Sequence, residues 1–206
     1  MKYLFLFILT GLLTSCNSVD TQKQEEAREY IKYLSYQVRP VIKHTNELIS
    51  QFLQATKMVV AGEVDQTQME KLKAKLEQVR NLNHQNLKLV EEVPVFDAEI
   101  NLRSVCINFM NQCDTLYADE FQKMYETVSR EDEMTQTSWI AYGDLVLAVW
   151  EKLLFSEGEL TKAHDAFIEK YQLDVEKLNL NIEEQLKQYQ EIYDRFQEAK
   201  ANDYAE

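Results

Sequence analysis

Glycine occurs only 4 times and proline twice in 206 residues. So small a supply of turn formers excludes collagen-like, linker-rich and loop-rich β architectures, and leaves helices as the default secondary structure. Positive charge is scarce too. The chain has 22 Lys and Arg against 35 Asp and Glu, a formal charge of -13, which repels nucleic acid and anionic headgroups. Nucleic acid is therefore not an expected partner. Histidine is limited to His44, His84 and His164, and no Glu-x-x-His pair aims two ligands at one metal. Gly-x-Ser-x-Gly, His-Glu-x-x-His and the phosphate-cradling glycine loops are missing as well. The expectation is a protein that is not an enzyme, with no catalytic residue, no cofactor and no metal site, whose histidines are surface or cap residues. The acid clusters Glu25-Glu26, Glu91-Glu92 and Glu131-Asp132-Glu133 lack the spacing of a calcium loop and read as a solvated face.

What the sequence does contain is 45% hydrophobic residues, enough for the core of one medium domain. The N-terminus comes first. Lys2, the apolar run Leu4 to Leu9, and the stretch Thr10 to Ser15 form a secretory signal peptide, too short for a bilayer-spanning helix of about 20 apolar residues. The tetrapeptide Leu13-Thr14-Ser15-Cys16 resembles the lipobox of bacterial lipoproteins, in which a leucine stands three residues before an obligatory cysteine. The resemblance implies a thioether-linked diacylglycerol on Cys16, cleavage between Ser15 and Cys16, and acylation of the new amino terminus. Several acyl chains, each methylene contributing roughly 0.8 kcal/mol, hold where a single chain would be reversible.

On this reading residues 1–15 are the lipoprotein signal peptide and 16–21 a polar, lipidated tether. Residues 22–201 form a single helical-bundle domain, and 202–206 a frayed tail. Lipidation at Cys16 makes the membrane a partner without a membrane span, and places the chain in the bacterial cell envelope, the outer membrane being favoured over the inner.

Within the domain the apolar residues recur at steps of three and four, the period of an amphipathic helix. A first helix from Thr21 to Ala61 contains Pro40, which predicts a kink or break near Gln37 to Arg39. Gly62 stops it, and Asp65 caps a second helix, Gln66 to Glu92, whose stripe has a five-residue step at Asn83 to Asn86. Val93-Pro94-Val95-Phe96 interrupts, with Val95 and Phe96 packing into the bundle end. Asp97 is expected to cap a third helix running to about Ser129. Ser129 and Asp132 predict the start of a fourth helix. Ser156 to Glu159 has capping-box spacing and predicts a break before a helix to Tyr171, and a last helix covers about Asn181 to Ala201. The fold class is all-α, an up-down bundle of four to six helices, some long and kinked.

Cys106 and Cys113 are seven residues apart, roughly 10.5 Å along a helix, beyond the ~7 Å reach of a disulfide, so they read as buried free thiols. The apolar stretch Trp139 to Phe155 holds Asp144, Glu151 and Lys152 and reads as a core helix. Asp144 is expected at the edge of its stripe, beside Ile140, Leu147 and Glu151, within reach of a partner. His44-Thr45-Asn46-Glu47 is similar to a motif of imelysin-like periplasmic lipoproteins, but Ile42 stands where that family has glycine, so nothing carries over. In layout the whole chain is similar to small all-helical surface lipoproteins of unknown function. The expected role is an interaction or scaffold domain for a protein partner. The alternative is a carrier holding a small ligand or metal between helices near Trp139, Tyr142 and Trp150.

Overall fold

The computed structural model describes residues 20–63, 65–130 and 135–174. Residues 16–19 of the tether, Asp132, the expected helix at residues 181–201 and the tail lie outside them, while Asp20 and Thr21, expected as tether, are the cap and first residue of a helix. The described chain is an all-α bundle: α1 (Thr21–Val60), α2 (Gln66–Glu92), α3 (Leu102–Ala118), α4 (Glu120–Val128) and α5 (Gln136–Tyr171). Local chemistry fixes most ends. Asp20 accepts from the Gln22 N–H to start α1, and Gly62 at φ +72 closes it, a conformation that costs glycine nothing. Asp65 accepts from the Thr67 N–H to start α2.

Four expectations about boundaries are corrected. First, α1 runs through Pro40 as one helix, without the break that was one of the two expected outcomes. Asn86 on α2 donates to the carbonyl of Gln37 at 2.8 Å, within the turn that the proline ring crowds. Second, α3 begins at Leu102 with Asn101, in the left-handed region, as its cap, whereas Asp97 caps the turn before it through the Glu99 and Ile100 N–H groups. Asp119 then separates α3 from α4, where one continuous helix was expected. Third, Ser129 ends α4 by donating its backbone N–H to Tyr125, and Thr135 caps α5 by accepting from the Ser138 N–H. Fourth, α5 passes unbroken through Ser156 to Glu159. Glu157 and Leu160 both face the core there, so packing overrides the capping-box spacing.

Cross-links between helices set the antiparallel order. Glu47 meets Lys75 between α1 and α2, Asn83 reaches Met110 between α2 and α3, and Thr56 meets Tyr142 between α1 and α5. The core they enclose includes Phe52, Phe109, Phe121, Trp150 and Phe167, each side chain contributing roughly 1.5–3 kcal/mol on burial. Cys106 and Cys113 are buried and free within it, as expected. Phe96 packs at the bundle end against Tyr30, Phe167 and Tyr171, with ring centroids 5.2 to 5.9 Å apart, while Val95 stays exposed.

Asp97 locks this end. Tyr171 donates to its carboxylate at 2.7 Å, and the Lys170 ammonium lies 2.7 Å from the same oxygen. Burial pushes the carboxyl up, but the bonds from Lys170, Tyr171 and the Ile100 and Glu99 N–H groups outweigh it and hold Asp97 well below the usual carboxylate range. A depressed folded-state pKa gives stability that is present above about pH 4 and lost as pH falls below it. Asp97→Asn should therefore cost about 1–3 kcal/mol in urea unfolding at pH 7, with the gap to wild type narrowing below pH 4. An equal gap at every pH would contradict the charged lock.

Candidate interaction surface

The interior is filled, and its polar groups are mostly paired. Thr45 donates its hydroxyl proton to the Val41 carbonyl at 2.7 Å, so the Tyr117 hydroxyl, which also meets Thr45, is the donor of that pair. Burial pushes the Cys106 thiol up to about 12 and Cys113 higher still, which keeps both protonated and inert.

A small cavity between α1, α3 and α5 is lined by Leu34, Val38, Ile42, Leu102 and Leu160, with Arg39 and His164 at its margin. It holds about 20 Å³, room for roughly one water. His164 corrects the expectation of a surface residue: it is 6% exposed, and its Nε2 is buried without a partner. Burial first, and then the positive charge of Arg39, lowers its pKa to about 4.

The outer side of the α1–α2 hairpin is different. A groove of about 630 Å³ runs between the two helices, with Ala55 and Leu72 on its floor and Gln51, Gln54, Gln68, Lys71, Lys75 and Gln78 on its walls. At one end Glu47 bonds Lys75 at 2.7 Å and His44 at 2.9 Å. Lys75 also lies 3.1 Å from the same His44 nitrogen, which can donate to Glu47 or accept from Lys75 but not both. The hydrogen bonds from Lys75 and then His44 pull the Glu47 carboxyl down to about 2.

The groove continues into an apolar stretch. Tyr33 precedes Gln51, Tyr36 precedes Gln54, and Leu89 follows Lys71, each by 18 residues or about five full turns, so each pair shares one direction on its helix. Tyr33, Tyr36 and Leu89 are all exposed, Tyr36 by 76%. The Asn86 bond to Gln37 sets Leu89 and Tyr33 opposite each other, one turn further on. One face about 27 Å long thus has an amide and lysine end and an aromatic end. Phe155, exposed on α5, stands apart from it.

The residues singled out from sequence fall elsewhere. Tyr142 and Trp150 are core, Tyr142 bonding Thr56 at 2.7 Å, and Trp139 lies partly buried against Tyr142. Asp144 is on the exposed side of α5 with Ile140 and Glu151, and it is engaged in an interaction, while Leu147, expected beside it, is buried. His84 lies 2.6 Å from Asp114, partly exposed. Among the described residues no three His, Cys, Asp or Glu cluster in a way that could hold a metal ion, and no helix is long and apolar enough to cross a membrane. No family model matches the chain, nor does any curated protein or solved structure match it.

His164 supplies a test of the interior. Between pH 6.5 and 4 an unfolded chain takes up a proton at this histidine and the folded chain does not, so stability falls with pH across that window, by roughly 3 kcal/mol at most. His164→Leu should flatten the slope of stability against pH between 6.5 and 4, whatever it does to stability at pH 7. An unchanged slope would contradict the buried neutral imidazole.

Proposed function

We propose that the protein is a lipid-anchored lipoprotein of the bacterial cell envelope, held through Cys16, whose helical bundle presents the α1–α2 face to another protein. It acts as an interaction or scaffold domain and not as a catalyst. The observation that carries this reading is the placing, on one face, of exposed Tyr33, Tyr36 and Leu89 and a groove of about 630 Å³, whereas the small cavity between α1, α3 and α5 holds about 20 Å³. Concave and apolar surface left on the outside fits a protein partner. Space for a carried ligand near Trp139, Tyr142 and Trp150 would support the carrier alternative, but Trp150 is 1% exposed and Tyr142 is buried. The tetrapeptide ending in Cys16 supports the anchor, and the outer membrane is the preferred location.

Two measurements on the full chain in its host test the two halves. Labelled palmitate should enter the wild type and not Cys16→Ala; label that persists in the variant sinks the anchor. A photo-crosslinking amino acid at Tyr36 should give one discrete protein adduct that the same group at Phe155 does not give. The absence of an adduct at Tyr36, or equal adducts at both positions, overturns the interaction face.

A further inference from the structure

The groove between α1 and α2 departs from the charge of the chain around it. In a protein of formal charge -13 its walls carry Lys71 and Lys75 and the amides of Gln51, Gln54, Gln68 and Gln78, with no carboxylate among them. Glu47, at one end of the groove, is committed to Lys75 and His44. Glu47 thereby balances Lys75, whose side chain is only 13% exposed and is held against the wall. Lys71 is exposed and forms no ion pair among the described residues.

The walls also state what shape of ligand they can read. Each glutamine amide offers two N–H donors and a carbonyl acceptor, the complement of a peptide group with its own N–H and C=O. No aromatic ring lines the groove, so neither a sugar ring nor a base finds a face to stack on. From Gln68 to Gln78 the helix rises about 15 Å, the length of four or five residues of extended chain.

We propose that this groove binds a short extended stretch of acidic polypeptide, with the glutamine amides pairing its backbone and Lys71 receiving a carboxylate. The inference deepens the scaffold reading and rests on it, naming the partner's chemistry: four or five residues carrying Asp or Glu. Charge complementarity selects this occupant. The rest of the surface, at formal charge -13, repels such a segment, so any binding has to come from a built site.

The probe is the capped pentapeptide Ala-Glu-Ala-Glu-Ala, titrated into the isotope-labelled mature chain while backbone amide resonances are followed. Shifts should concentrate at residues 51–55 and 68–78, weaken with salt, and need about tenfold more peptide in Lys71→Glu, an exposed position where the fold is unaffected. Ala-Lys-Ala-Lys-Ala should shift nothing there. Absence of shifts in those segments, equal binding by Lys71→Glu, or stronger shifts there from an acidic oligosaccharide such as tri-galacturonate would overturn the assignment. The crosslink at Tyr36 separates the two claims. An adduct that forms equally in the Lys71→Glu chain refutes the groove and leaves the scaffold reading standing. Peptide shifts without any Tyr36 adduct support the groove and refute the wider face.

Discussion

The amide of Asn86 reaches out of α2 into the turn of α1 that Pro40 disturbs, and donates to the carbonyl of Gln37 at 2.8 Å. A proline has no N–H to give the residue four positions back, and its ring opens the helix locally. In most long helices that would mean a break. The carbonyl that Pro40 leaves without its donor is that of Tyr36; Asn86 bonds the next one, of Gln37, and because that bond is buried it fixes the sliding register of α1 on α2. Everything on the outer hairpin face depends on that register. It sets Leu89 on the same side of the hairpin as Tyr33 and, four to five turns away, puts Lys71 and Lys75 in one groove with Gln51 and Gln54. A second buried amide, Asn83 to the Met110 carbonyl at 2.9 Å, does the same between α2 and α3.

The bundle therefore divides its work between apolar and polar contacts. Phe52, Phe121, Trp150 and Phe167 supply the burial that makes any compact arrangement favourable, but they tolerate sliding. Polar groups that must find partners do not. The Asp97 lock between the start of α3 and the end of α5, and the Tyr117–Thr45 hydrogen bond between α3 and α1, each exclude alternative registers by the penalty of leaving a buried group unpaired.

Much of this fold was legible in the sequence wherever a boundary is written in local chemistry. Gly62, Asp65 and Pro94 gave both ends of α2, and the three-and-four spacing gave its buried stripe. The five-residue step at Asn83 to Asn86 was visible as an irregularity, but the pattern of apolar residues treats asparagine as a gap, and the structure makes both residues part of the core. Boundaries decided by tertiary contacts were not legible. Ser156 to Glu159 has the letters of a capping box, yet Glu157 faces inward and the helix continues. His164 looked like any polar residue until its neighbours across the bundle were known. The candidate groove was hidden for a similar reason: glutamine and lysine on a helix are ordinary surface residues, and only the packing of two helices turns them into a wall. The 18-residue spacing of Tyr33 to Gln51 and of Lys71 to Leu89 was the one available signal, and it has meaning only once the register of the hairpin is set.

The most direct test of that register is a double-mutant cycle on Asn86 and Pro40, read by urea unfolding. Asn86→Ala alone should cost about 1–3 kcal/mol, since it removes a buried hydrogen bond in the turn next to the proline. In the Pro40→Ala background residue 40 regains an N–H for the Tyr36 carbonyl and the turn closes, bringing the Val41 N–H onto the Gln37 carbonyl, so the same substitution should cost at least about 0.5 kcal/mol less, a coupling outside the additivity of independent sites. Additive effects would show that Asn86 and Pro40 act separately, and would contradict the account of how α1 and α2 are held in register.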